Sequence, residues 1–199
     1  GINIAYICFD KPQASDALVI STGRTESLVK YFEVAYDLFH SELALSVCIY
    51  DHRGQGLSGR LISDTQKGHV DWFSYYAKDM KKVVNRVKSM GYNRVFMLAH
   101  SMGGGAAVYA AQQYPDLFDG LVLTAPMLAV NTDPYPTSIT YALVSTLTWW
   151  GQGESFLMGK TYWEPTGSDE DFAANYVTRS HARWLMNENI YLQLTPTYP

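Results

Sequence analysis

The sequence predicts an α/β fold, a mostly parallel sheet flanked by helices with an inserted helical cap, on three observations. Apolar runs of strand length alternate with stretches of helical apolar spacing through residue 125, the signature of a parallel sheet whose crossovers are helices. Glycine-containing turns separate the two kinds of segment. After Ala125-Pro126 the alternation stops, and Pro134, Pro136, Trp149, Trp150, Trp163, Pro165 and Trp184 follow with poor periodicity.

Taken in order, Ala17-Leu-Val-Ile20 reads as a buried strand. Beyond the turn Ser21-Thr-Gly-Arg24, residues Leu28, Tyr31, Phe32, Ala35, Leu38 and Phe39 fall on one helical face. Ala44 to Tyr50 is the next strand. A glycine-rich loop leads from it to a helix expected from about Asp71, with Trp72, Tyr76, Met80, Val83, Val84 and Val87 on its apolar face and Gly91 placed to end it. Arg94 to Ala99 is a third strand, Met102 to Gln113 a helix of small residues, and Gly120 to Thr124 a fourth strand, giving three successive βα crossovers. Residues 1–126 are thus expected to form the N-terminal part of the core, 127–190 a helical cap or lid, and 191–199 the start of a return to the sheet. Gly167 to Asp171 reads as a solvated acidic loop or helix start.

The 199 residues suffice for one domain with an ordinary core and room for an inserted subdomain. A net charge of -4 offers no basic surface for nucleic acid. The longest apolar stretch, Ile139 to Trp150, falls well short of the roughly 20 residues that span a bilayer. The start lacks a basic region followed by an apolar one, so a cytoplasmic location is expected. Cys8 and Cys48 lie in strand-like apolar runs, where free buried thiols are the expectation.

The chemical signal is Ala99-His-Ser-Met-Gly-Gly104, where a buried strand meets a helix of Gly and Ala. In a nucleophile elbow the chain reverses so sharply that the serine is strained and its hydroxyl exposed at the end of the sheet, and small neighbours relieve the crowding. Ser101 is therefore the candidate nucleophile. Ala99 departs from the usual Gly-x-Ser-x-Gly by one methyl. Serine needs a base to take its proton and an oxyanion hole for the tetrahedral intermediate. Met102 N–H, just past Ser101, is one candidate donor. The other is Arg24 N–H, if Gly23 lets the first βα loop turn it toward the substrate; a plain turn is the alternative. Gly23 and Arg24 are also candidate substrate contacts, the Arg24 guanidinium being suited to a phosphate.

Three segments, Thr22-Gly-Arg-Thr-Glu-Ser27, Tyr50-Asp-His-Arg-Gly-Gln-Gly-Leu-Ser-Gly59 and Ala99-His-Ser-Met-Gly-Gly104, together with Gly68-His69-Val70 and Thr124-Ala-Pro-Met127, resemble the bacterial lysophospholipase L2 family of α/β-hydrolases, close to the monoacylglycerol lipases. The resemblance implies hydrolysis of the acyl ester of a lysophospholipid through an acyl-enzyme, without metal or organic cofactor, by a protein in peripheral contact with the inner membrane face. A monoacyl lipid or general carboxylester substrate is the alternative within that class; a non-catalytic lipid-binding module is the alternative outside it. A Trp-rich cap suits an acyl chain and equally needs its own core.

Asp51 and Arg53 are expected to shape their loop rather than react. Residues His40, His52, His69 and His100 read as helix end, loop brace, loop brace and elbow neighbour. After Ser101 the only histidine is His181, in what reads as a cap helix. The chain order Ser, acid, His therefore places the catalytic Asp and His beyond Pro199, and the sequence reads as C-terminally truncated.

Overall fold

The computed structural model describes residues 1–156, 162, 164, 168–175 and 177–194. Strand β1 (Tyr6–Phe9) precedes β2 (Asp16–Ser21); a 3-10 turn at Leu28–Tyr31 leads into α1 (Phe32–His40) and then β3 (Leu45–Tyr50). Helix α2 (Ser74–Lys88), β4 (Arg94–His100), α3 (Ser101–Gln113) and β5 (Gly120–Thr124) complete the alternation. The strands lie in the order β1-β3-β2-β4-β5. All neighbours are parallel except β1, which runs antiparallel to β3.

Side chains alternate across a strand, and the core divides accordingly. Val19, Cys48, Tyr50, Val95 and Met97 face α2 and α3, which add Met80, Val84, Val87, Ala106 and Ala110. Leu18, Ile20, Val47 and Ile49 face the other way, toward Leu28 and Ala35. Because β2 is covered on both faces and flanked on both sides, all six of its residues are buried. The opposite edge strand, β5, leaves Val122 and Leu123 exposed.

Two expectations need correction. Helix α2 begins at Ser74, so Trp72 precedes it and is exposed rather than on the apolar face. Cys8 and Cys48 are not free thiols but form a disulfide. The residues look strand-like separately; pairing β1 with β3 sets them directly opposite each other, with Cα atoms 4.0 Å apart. Disulfides persist mainly in oxidising compartments, so the bridge does not favour the cytoplasmic expectation.

Beyond β5 the described elements are helical: α4 (Thr137–Leu147), a π-helical turn at Thr148–Gln152, α5 (Asp169–Ala174) and α6 (His181–Leu194). The acidic stretch proves to be a helix start, with Ser168 and Asp171 in a reciprocal capping box. Trp149 and Trp150 face solvent, whereas Trp184 is buried against Phe172 and His181. Trp163, Pro165, Gly167 and Thr195 to Pro199 lie outside the described residues. Helix α6 packs back on the N-terminal region: Arg183 pairs with Glu33 on α1, and Tyr191 Oη donates to Thr25 O at 3.1 Å. Among the described residues no helix is long and apolar enough to cross a membrane.

The bridge closes a loop of sequence separation 40, for which loop-closure entropy gives a stabilisation of about 3–4 kcal/mol. The Cys8→Ala/Cys48→Ala double variant should therefore unfold at lower urea concentration, losing about that much. An unchanged midpoint would show that the bridge contributes nothing.

Candidate active site

Ser101 lies where β4 passes directly into α3, and it is held at φ 51°. The left-handed region is costly for a residue with a Cβ, of order 1–3 kcal/mol, and packing on both sides fixes it here. Behind it, α3 approaches β2 so closely that a Cβ on Gly103 would fall 2.8 Å from Ser21 O and also against Thr22 O. On the other side Met127 N–H donates to Ser101 O at 2.8 Å. Ala99 is wholly buried beside Ser21, so the methyl that departs from the common motif is accommodated in the core. Met102 is the second residue of α3, where N–H groups have no partner within the helix and the helix dipole favours negative charge.

The facing loop runs from Thr22 to Glu26. Gly23 is needed for space rather than for its backbone angles: a Cβ there would come 2.7 Å from the Glu26 carboxylate and 3.2 Å from the His100 ring. The left-handed residue in this loop is Thr25, at φ 59°. Glu26 accepts Gly23 N–H at 2.6 Å and pairs with Lys30 at 2.6 Å. Burial opposes its charge, but Lys30, Tyr31 and the Gly23 N–H outweigh burial and hold its carboxyl below the usual range. Gln55 braces the same loop from across the site, donating to Gly23 O at 2.7 Å and accepting Thr25 N–H at 3.2 Å.

The segment after β3 is held by buried polar groups. Asp51 accepts Leu28 N–H at 2.6 Å and Leu57 N–H at 2.7 Å. Burial pushes its carboxyl up to about 6, against the pull of those two donors. Arg53 makes two hydrogen bonds to Asp79, at 2.6 and 2.8 Å. Both residues are engaged in shaping the loop, as the sequence suggested. His52 is wholly buried, with Nε2 3.1 Å from Thr22 O and from Ser21 Oγ. Since a carbonyl only accepts, Nε2 carries the proton. Burial pushes the ring down to about 4.

These elements bound a cleft of about 140 Å³ lined by Arg24, Thr25, Gln55, Tyr76 and Met102, by Ile62, Lys67, Gly68 and His69, and by Gly153 to Phe156. Arg24 and Met102, the two candidate oxyanion residues, thus both line this cleft; half-buried Ser101 adjoins Met102 in the chain but is not itself among the lining residues. The histidines are otherwise engaged: His40 Nδ1 lies 2.8 Å from Tyr36 O at the end of α1, His100 Nδ1 lies 3.1 Å from Thr124 O, and His181 opens α6 with Nε2 3.7 Å from Asp169. Sequence reasoning missed Glu26, Gln55 and Tyr76. The position of Glu26 four residues before Lys30 was a usable signal; Gln55 lies in the Tyr50–Gly59 segment and Tyr76 on the apolar face of α2, but neither placement pointed to the cleft.

A largely parallel α/β sheet with a serine at positive φ between strand and helix defines an α/β-hydrolase. Residues 12–177 match the family described as serine aminopeptidase, S33, and the chain belongs to that hydrolase family. It is 34% identical over 196 residues to lysophospholipase L2 of Escherichia coli strain K12, covering 96% of this chain and 54% of that protein. Monoglyceride lipase of Rattus norvegicus is 31% identical over 121 residues, 60% of this chain and 38% of that protein. The chain therefore spans about half the length, or less, of these relatives. A solved Saccharomyces cerevisiae monoglyceride lipase shares the fold with a TM-score of 0.64 at 17% identity, covering 100% of this chain and 61% of that one.

The depressed His52 ring has a directional consequence. As pH falls from its ordinary 6.5 toward about 4, the unfolded chain takes up a proton that the folded one refuses, so stability falls. Asp51 acts oppositely over part of that window, because its raised carboxyl keeps a proton the unfolded chain has lost. Comparison with His52→Gln isolates the histidine. Wild type should lose about 3 kcal/mol relative to the variant between about pH 7 and about pH 4. A pH-independent difference between the two would refute the buried neutral ring.

Proposed function

We propose that the chain is the nucleophile-bearing part of a serine hydrolase that cleaves the acyl ester of lysophospholipids. The observation that carries this is Ser101 at φ 51° at the head of α3, followed directly by Met102, which lines a cleft together with Arg24. Ser101 Oγ attacks the ester carbonyl carbon as a base removes its proton. The oxygen becomes an oxyanion, received by the N–H groups of Met102 and Arg24. Collapse expels the glycerol oxygen, which takes up the proton, and leaves an acyl-serine that water then hydrolyses. Two backbone donors suit this role because they need no reorganisation as charge develops. No step calls on a metal or organic cofactor.

The base and acid are proposed to come from chain corresponding to the part of the longer relatives that this sequence does not span. Residues 1–126 are proposed as core, 127–190 as a lid over the cleft, and 191–199 as the return to the sheet. Among the described lid residues, Gly153 to Phe156 reach the cleft, and Phe156 offers an acyl chain an apolar contact. Likeness to lysophospholipase L2 over 96% of the chain supports a phospholipid over a neutral monoacyl lipid, which the shorter match to monoglyceride lipase leaves as the second substrate. Peripheral membrane contact is the corresponding proposal for location.

In the natural protein that carries this sequence, a serine-directed phosphonate should label Ser101, and Ser101→Ala should lower ester hydrolysis by about 10³-fold or more while the fold persists. Label recovered on Ser58 or Ser180, or near-normal turnover by the variant, would refute the assignment. Against a series of lysophospholipids, kcat/KM should rise with acyl length, since each buried methylene contributes about 0.8 kcal/mol. A flat series would remove the lipid argument and leave a general esterase.

A further inference from the structure

We propose that Arg24, Lys67 and His69 form an anion subsite that holds the phosphate of the lysophospholipid head group; this rests on the ester-hydrolase reading of the same cleft. The three side chains come from two separate loops, one after β2 and one between β3 and α2, and converge on the cleft that Met102 also bounds. Arg24 is exposed there; its carbonyl accepts from Thr25 Oγ1 at 2.6 Å, while among the described residues no hydrogen bond or ion pair holds its guanidinium. The polar groups next to it are already occupied: Gln55 is spent on Gly23 and Thr25, and Glu26 on Lys30, Tyr31 and Gly23. The guanidinium is therefore uncompensated by its own loop.

Lys67 is held by two contacts that restrict it without burying it. Its Nζ lies 3.4 Å from Asp64 and 4.9 Å from the Phe156 ring centroid. His69 Nε2 lies 3.5 Å from Asp71. The opposing charges are Glu154, which lines the cleft, and Asp64 and Asp71, which pair with Lys67 and His69. Asp64 and Asp71 orient Lys67 and His69, which leaves Arg24 as the cation directly available to a ligand. A guanidinium takes a phosphate by two parallel hydrogen bonds, and a neighbouring ammonium adds a point charge. The glycerol backbone separates ester from phosphate, so a lipid whose carbonyl sits at Met102 would carry its phosphate further along this wall. The subsite thereby selects a phosphate-bearing lipid over a neutral monoacylglycerol.

The test uses the natural protein and two substrates with one acyl chain, 1-palmitoyl glycerophosphoethanolamine and 1-palmitoylglycerol. Arg24→Met and Lys67→Met should each lower the ratio of kcat/KM for the phospholipid over the neutral lipid by about tenfold, mainly through KM, and Lys67→Arg should restore it. Inorganic phosphate as an inhibitor distinguishes the sources of the anion. Inhibition weakened by Arg24→Met supports a subsite that also takes free phosphate; a change confined to the lipid ratio supports a subsite that takes phosphate only as part of the head group. An unchanged ratio in both variants, with both substrates slowed alike, would overturn the proposal and leave the two residues as parts of the cleft wall. Binding of the same two lipids to Ser101→Ala protein reads the subsite without turnover. Loss of phospholipid preference there on adding Arg24→Met supports the subsite even if Ser101 proves not to be the nucleophile, and retained preference overturns it even if Ser101 is.

Discussion

The geometry of the site depends on how closely α3 can approach β2. A single Cβ at Gly103 would collide with the carbonyl oxygens of Ser21 and Thr22, and interiors packed at crystal density have no slack to absorb it. Because the helix sits that near, the residue at its head and the loop leaving β2 meet at one end of the sheet, and Met102 and Arg24 come to line one cleft. The strained φ of Ser101 follows from the same closeness: strand and helix join without an intervening loop, so one residue takes the whole reversal.

Around this contact lies a set of buried polar groups that act by holding backbone. Asp51 gathers the N–H groups of Leu28 and Leu57, His52 holds the carbonyl of Thr22, and Glu26 and Gln55 clamp Gly23 from two directions. Each would be expensive to bury without partners, and each is buried where a loop must keep its shape without regular hydrogen-bonded structure. Charged residues beside a cleft invite a catalytic reading. Here their hydrogen bonds are directed into the loops, and the preorganisation they give the two proposed backbone donors is their contribution.

The sheet was legible in the sequence because β2 and β3 are buried on both faces and β4 is buried on one and partly buried on the other, so all three read as largely apolar runs, and α2 because its buried residues recur at helical spacing from Tyr76 to Val87. Ser101 was legible because strand, serine and small-residue helix are contiguous. What failed depended on partners distant in sequence. Cys8 gives no sign of meeting Cys48 until β1 is known to pair with β3, and Trp72 resembles a helix residue until the turn before Ser74 sets it outside. Gln55 reaches the loop at Gly23 from 32 positions away, a separation that no local pattern encodes. The role of Gly23 was misjudged for a related reason, since the crowding that demands it comes from Glu26 and His100.

The segment that follows β5 is fastened at both ends to the parts of the fold that carry the two proposed donors. At its start Met127 N–H grips the carbonyl of Ser101; near its end, α6 grips Glu33 through Arg183 and the carbonyl of Thr25 through Tyr191. Such a strap can change length and composition between its fastenings at small entropic cost, since closure entropy grows only slowly with loop length, while neither anchor has to shift. On the proposed reading, variation in what is recognised is thereby uncoupled from the placement of the proposed backbone donors, and a lineage could exchange one strap for another without rebuilding the strand-to-helix turn beneath it.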